Sequence, residues 1–175
     1  LSPLLYPDIE DYLPLSRVHY CANGIPDMGF TVTKKHSLEN QAIQLLFLSN
    51  LIESKGILDL IEACRLLKEL NLNFHLSIAG GEGDISLDEL NNLIRDYELE
   101  ANVSCKGRVQ GKDKFKILED ADIFVHPTHD DCFPLVLLEA MQAGLPIVTT
   151  SEGAIPEIVM HGTNGLIVPP HNKMT

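Results

Sequence analysis

DIFVHPTHDDCFPLVLLEAMQAGLPIVTTS, residues 122–151, carries the alternation that decides the fold. A short apolar run, 122–127, ends at a proline. A helix-period segment opens around Pro134, and a second β-branched run, 145–151, follows a Gly-Leu-Pro step. Strand, helix, strand in that order is the crossover that sets two strands parallel, since antiparallel partners need only a tight turn. Two acids interrupt the pattern. Glu139 sits among Leu135, Leu138, Ala140 and Met141, and Asp131 precedes a Phe-Pro step. A largely buried helix gains no stability from an unpaired carboxylate, so both acids call for a partner.

The same alternation runs outward along the chain. Apolar runs at 42–49, 74–80, 102–107 and 164–170 alternate with helical segments. In the first of these, Ile57, Leu60, Ile61, Cys64 and Leu67 recur at helical spacing, and a later one begins with Ser86 and Glu89 as a capping box. A short helical turn is expected around 155–159. Continuous apolar strands separated by helices predict a doubly wound, Rossmann-like parallel α/β sheet with helices on both faces. The boundaries read as an irregular N-terminal segment over 1–16, one ligand-binding domain over 17–170, and a truncated tail over 171–175. Both ends read as cut from a longer chain.

In such sheets ligands sit at the carboxyl ends of the strands, and every motif of interest follows a strand. Pro134 suits the first position of a helix. The amides of 135–138 would then lack intrahelical partners and, with the helix dipole, form an anion site. Asp131 lies beside that site. Glu139 lies one turn further on, where a carboxylate can accept two hydrogen bonds from a vicinal diol. Spacing alone leaves a second reading open for each: Asp131 as an acid favoured by the dipole, Glu139 as a solvent-facing residue. Lys55, at a helix opening, is placed to reach a phosphate as a point charge, or is an ordinary surface lysine. GGEGD, 80–84, reads as a tight turn with room for a ligand near its backbone. HPTHDD, 126–131, offers two histidines and two aspartates, but a proline-containing loop fixes no ligand geometry and no second cluster completes a set; no metal site is expected.

Composition narrows the partners. A length of 175 residues suits one well-cored domain, and a net charge of −12 lacks the basic footprint that a nucleic-acid binder needs. A small anionic ligand needs only a local positive potential. Cys21, Cys64, Cys105 and Cys132 are scattered without a C-x-x-C pair, which points to free thiols and a reducing compartment. No apolar stretch approaches the roughly 20 residues that span a bilayer. With no basic, apolar leader at the start, a cytoplasmic location is expected.

Taken together, DDCFPLVLLEAMQAGLPIVTTSEGAIPEIVMHGTNGLIVPP, KGRVQGKDKFKILEDADIFVHP, IAGGEGD, LLFLSNLIESKG and CANGIPD resemble the donor-binding region of family 4 retaining glycosyltransferases. Its usual pattern is an acid, Gly, Phe, Pro, and Glu eight places after the first acid. The resemblance covers nearly the whole chain from about residue 17. It implies the C-terminal domain of the two-domain GT-B plan, binding a nucleoside-diphosphate sugar and, in the longer protein, passing a hexosyl-type sugar to an acceptor hydroxyl with retention. By position it implies that Glu139 binds the ribose, Asp131 the donor sugar, and the backbone at Cys132 and Phe133 the same sugar. The amides of Leu135 and Val136 would meet the diphosphate, Lys55 would neutralise it as the bond breaks, and backbone at Val109 with Lys114 beside it would contact the base. No cofactor is implied. The acceptor, a glycan or a lipid-linked sugar, would be held by an N-terminal domain, which leaves room for peripheral membrane association of the longer protein. Three positions depart from the pattern: Asp131 stands where Glu is usual, Cys132 where Gly is usual, and Asn50 where an arginine commonly joins the lysine on the diphosphate. A non-catalytic nucleotide-sugar-binding module and a GT-B-type epimerase or phosphorylase are the alternative readings.

Overall fold

The structure, a computed structural model, describes residues 2–21, 23–30 and 41–170; the tail expected at 171–175 lies outside them. Six strands run in chain order: β1 (Ile43–Leu48), β2 (Phe74–Ala79), β3 (Val103–Gly107), β4 (Ile123–His126), β5 (Ile147–Thr149) and β6 (Gly165–Ile167). All pair in parallel, in the order β3-β2-β1-β4-β5-β6. Between them lie α1 (Ile57–Glu69), α2 (Leu87–Asp96), α3 (Gly111–Asp120), α4 (Leu135–Gln142) and α5 (Ile155–Ile158). The doubly wound α/β expectation holds, and the chain reverses its direction of travel between β1 and β4.

Two apolar layers flank the sheet. Phe47, Leu76 and Ile78 pack with Ile57, Ile61 and Leu90 on one side. Leu46, Phe124 and Ile147 pack with Leu137, Ala140 and Ile155 on the other. The strands are less uniformly apolar than a sheet covered on both faces requires. In β2, His75 and Ser77 alternate with the buried Phe74, Leu76 and Ile78, and His75 Nε2 lies 2.9 Å from Ser104 Oγ of β3. That end of the second face is therefore polar.

Local chemistry explains the helix boundaries. Ser86 and Glu89 form the expected reciprocal cap on α2. The segment 1–16, read as irregular, contains a 3₁₀ helix, Pro3–Asp8, whose start Ser2 caps by accepting the Leu4 N–H. Lys55 does not open α1 as expected; it ends a 3₁₀ turn, Glu53–Lys55, and Gly56 separates that turn from the helix. Gly56 takes φ +76°, and a Cβ there would lie 1.9 Å from the Pro127 carbonyl oxygen. Only glycine lets the β1–α1 loop touch the end of β4 so closely. Cys64 is buried in α1 as a small hydrophobe, and burial pushes its thiol up to about 12.

The Gly56 contact can be separated from its backbone conformation. Gly111 also has a positive φ, +54°, but open space where its Cβ would be. In urea unfolding, Gly111→Ala should cost about 1 kcal/mol. Gly56→Ala should cost more than about 3 kcal/mol, because steric displacement of the Pro127 backbone adds to the strain.

Candidate active site

Every residue singled out above lies at the carboxyl ends of the strands, and the structure gathers them into two adjoining groups. The first is built on the loop from β4 to α4. Pro127 ends the strand by withholding a donor, and the polar residues after it are held from two sides. The Ser54 carbonyl accepts the His129 N–H at 2.7 Å and lies 3.2 Å from Thr128 Oγ1, while His129 Nε2 is 2.8 Å from Asp59 Oδ2 at the start of α1. From β5, Thr149 Oγ1 donates to the His126 carbonyl and Thr150 Oγ1 to the Thr128 carbonyl. Gly153 closes the far side. Its φ is +50°, and a Cβ there would lie 2.1 Å from the Asp131 carbonyl oxygen.

This frame fixes Asp131. Its Oδ2 accepts from Lys55 Nζ at 2.9 Å, and Lys55 Nζ also donates to the Asp130 carbonyl at 2.7 Å. His126 Nε2 lies 3.4 Å from the same oxygen, short of a well-formed hydrogen bond. His126 is 1 % exposed, and neither ring nitrogen has a hydrogen-bond partner among the described residues. Burial pushes the Asp131 carboxyl up, but His126 and Lys55 together outweigh it and hold the group below its ordinary value.

Beyond Asp131 the chain turns into α4. Pro134 is the cap of this helix, not its first residue as expected: its ψ of 108° is extended, and its carbonyl accepts the Leu137 N–H at 3.1 Å. No side chain caps the helix start. Of the four amides expected to be open over 135–138, that of Leu137 is thus engaged. The Cys132 carbonyl is engaged by the Ala154 N–H at 2.9 Å. Cys132 is exposed and has no positive φ, so replacing glycine there strains nothing. Phe133 packs against the second apolar layer.

The second group lines a cavity of about 450 Å³ over the ends of β1, β2 and β3, within the roughly 300–1,000 Å³ usual for small-molecule sites. Asn50, Gly80, Gly81, Arg108, Val109, Lys114 and Val136 all border it. Two hollows of similar size lie elsewhere, beside α3 and at the 162–166 turn; of these three, this one opens where open α/β sheets bind ligands. Asn50 Oδ1 accepts the Gly81 N–H at 3.1 Å. The acids of GGEGD are occupied structurally: Glu82 accepts the Leu87 N–H at the start of α2, and Asp84 the Glu53 N–H.

Glu139, the acid without a visible partner in the sequence, pairs with Lys114 of α3. Lys114 Nζ is 2.6 Å from each carboxylate oxygen, and Glu139 is 14 % exposed. Oε1 accepts a hydrogen bond, whereas the buried Oε2 makes no well-formed one. Lys114 therefore stands against Glu139 rather than free beside Val109. Among the described residues, no group of three or more His, Cys, Asp or Glu is placed to hold a metal ion, and no helix is long and apolar enough to cross a membrane.

Sequence reasoning saw His126 only as a metal candidate and passed over Arg108, Ser54, Thr149, Thr150 and Gly153. The hydroxyl pair closing an otherwise apolar strand at 147–150 was the available signal, because polar residues at a strand's carboxyl end imply something to bond there.

An open parallel sheet with an uncapped helix start, two lysine–carboxylate pairs and a cavity at its carboxyl edge defines an α/β domain suited to an anionic, hydroxyl-bearing ligand. The family described as glycosyl transferases group 1 matches residues 30–175, and the chain belongs to it. It is 32% identical over 187 residues to the amylovoran biosynthesis glycosyltransferase AmsK of Erwinia amylovora, covering 95% of this chain and 46% of that protein. Among solved structures it resembles S. aureus TarM, with a TM-score of 0.79 at 24% identity over 99% of this chain and 34% of that one. Anabaena Alr3699/HepE in complex with UDP-glucose matches with a TM-score of 0.66 at 27% identity, over 77% and 36%. The fold is the Rossmann-like one of GT-B glycosyltransferases, and the chain spans less than half the length of each of these relatives.

The depressed Asp131 carboxyl has a direct test. Because its folded value lies below its unfolded one, Asp131 stabilises the fold above the ordinary carboxylate value near 3.8, and that contribution is lost as pH falls through the depressed value. A ¹³C NMR titration should place its midpoint below 3.8. Lys55→Met and His126→Leu should each move the midpoint up; a midpoint unmoved by both substitutions would show that neither partner holds the charge.

Proposed function

We propose that the chain is the donor-binding, C-terminal domain of a family 4-type retaining glycosyltransferase, holding a nucleoside-diphosphate sugar with UDP as the carrier. The observation that carries this reading is Glu139: a nearly buried carboxylate paired with Lys114 of the cavity wall, with one oxygen still lacking a well-formed hydrogen bond. A ribose diol supplies two adjacent O–H donors that fit such an acceptor. The amides of Leu135 and Val136 receive the diphosphate at the helix start. The backbone at Val109 meets the base, and that at Cys132 and Phe133 meets the sugar.

Asp131 contacts the sugar hydroxyls. When the bond from the anomeric carbon to the phosphate oxygen breaks, negative charge gathers on the departing diphosphate. Lys55, released from Asp131, and the helix start stabilise that charge. An acceptor hydroxyl then bonds to the same face of the anomeric carbon and passes its proton to the departing diphosphate oxygen, which preserves the configuration. The likeness to Alr3699/HepE, solved with UDP-glucose, supports the choice of donor. The acceptor, a glycan or lipid-linked sugar, is brought by a separate N-terminal domain that faces this edge. The chain alone then binds nucleotide weakly and transfers nothing.

Calorimetric titration with UDP, GDP and ADP tests the reading, repeated on Glu139→Gln. With one wall of the cleft missing, UDP should bind with a Kd of about 1 mM, near −4 kcal/mol, and more tightly than GDP or ADP. Glu139→Gln should weaken UDP by about ten-fold while leaving the thermal unfolding curve recognisably cooperative. UDP binding that is indifferent to this substitution would remove Glu139 from the ribose site.

A further inference from the structure

The charges around the cavity are unevenly balanced. Lys55 is paired with Asp131 and Lys114 with Glu139, so each lysine is neutralised where it stands. Arg108, which follows β3 and borders the same cavity, has no ion-pair or hydrogen-bond partner among the described residues. Its Nε lies 3.8 Å from the point where a Cβ on Gly81 would be, and Asn50 Oδ1 lies 3.4 Å from that same point. Asn50 and Arg108 thus meet over one glycine. Asn50 commits its oxygen to the Gly81 N–H, which turns its amide N–H₂ donors away from that bond and leaves them without a protein partner among the described residues. An uncharged donor and an unpaired guanidinium therefore stand together at the mouth of the cavity.

An anion entering this site meets two lysines that must first give up a carboxylate and one cation that need give up nothing. A guanidinium also offers forked N–H donors that match two phosphate oxygens at once. We propose that Arg108 is the residue that captures the diphosphate, with Asn50 as its neutral companion donor, and so makes the cavity select a nucleoside diphosphate over the bare nucleoside. This rests on the nucleotide-sugar reading above and adds to it a specificity-determining residue. Lys55 then acts later, on the charge that develops as the sugar leaves, while Arg108 acts on the charge already present in the ground state.

The two stages separate in a binding experiment. NMR chemical-shift titrations of the chain with UDP and with uridine, on the unsubstituted protein, Arg108→Gln and Arg108→Lys, read the phosphate contribution as the ratio of the two affinities. Arg108 is exposed, so its substitution leaves the fold intact. Arg108→Gln should weaken UDP by about three- to ten-fold and leave uridine unchanged, with Arg108→Lys recovering part of the loss. Raised salt should narrow the difference between the unsubstituted protein and Arg108→Gln. Equal weakening of UDP and uridine would place Arg108 against the base and overturn the proposal; so would UDP binding that Arg108→Gln does not change. Failure of the unsubstituted chain to bind UDP more tightly than uridine would overturn the nucleotide reading itself, and this inference with it.

Discussion

The site depends on a steric constraint: the segment from Pro127 to Cys132 is clamped between two glycines of separate loops. Gly56 lets the β1–α1 loop press on the Pro127 carbonyl, and Gly153 lets the β5–α5 loop press on the Asp131 carbonyl. Both have positive φ, and at neither is there room for a methyl group. Because Gly56 follows Lys55 directly, the first contact also fixes where the lysine can reach. The second holds the backbone of Asp131 itself, so the Lys55–Asp131 distance is set by packing of the main chain and not by the ion pair. This order of causes matters, since a part-exposed ion pair contributes little by itself to holding two loops together.

The polar frame around this clamp explains why the end of β4 is buried without being apolar. His126, Thr128, Thr149 and Thr150 are all buried. The threonines bond to main-chain carbonyls of the loop, so their desolvation is offset by hydrogen bonds. His126 is different. Its ring nitrogens lack hydrogen bonds, and a buried unpaired polar group costs of order 1–3 kcal/mol. The structure retains it against Asp131, where its Nε2 supports the carboxylate as Lys55 does from the solvent side.

The alternation of strand and helix was legible because it is local: 3.6-residue spacing in 57–67, a capping box at Ser86 and Glu89, and apolar runs bounded by Pro and Gly each report on their own neighbourhood. The anion-ready start of α4 was legible for the same reason, although a proline as cap and a proline as first residue look identical in a sequence. The partners were not legible. Lys114 lies 25 residues before Glu139 and Lys55 76 before Asp131, and nothing in a one-dimensional pattern says which lysine answers which acid. Arg108 was passed over because a lone arginine after a strand is ordinary; that no carboxylate among the described residues pairs with it is something only the fold reveals.

A chain with a net charge of −12 repels a diphosphate at long range, so a site for one must be built by removing negative charge locally. Four acids near the site are accounted for in this way. Glu82 and Asp84 are tied to main-chain amides at the starts of neighbouring elements, Asp131 is tied to Lys55, and Glu139 to Lys114. Each pair neutralises its lysine where it stands, and a ligand can recruit that lysine only by offering the carboxylate something in return. On the proposed reading, ribose and sugar hydroxyls are such an offer, since they would donate hydrogen bonds to Glu139 and Asp131 while the phosphates take the lysines. On this account inorganic phosphate, which lacks those hydroxyls, is a poor ligand for the same cations. On the same reading the paired charges select for a molecule that carries both phosphate and diol, and Arg108, as proposed, supplies the initial attraction that the paired lysines cannot.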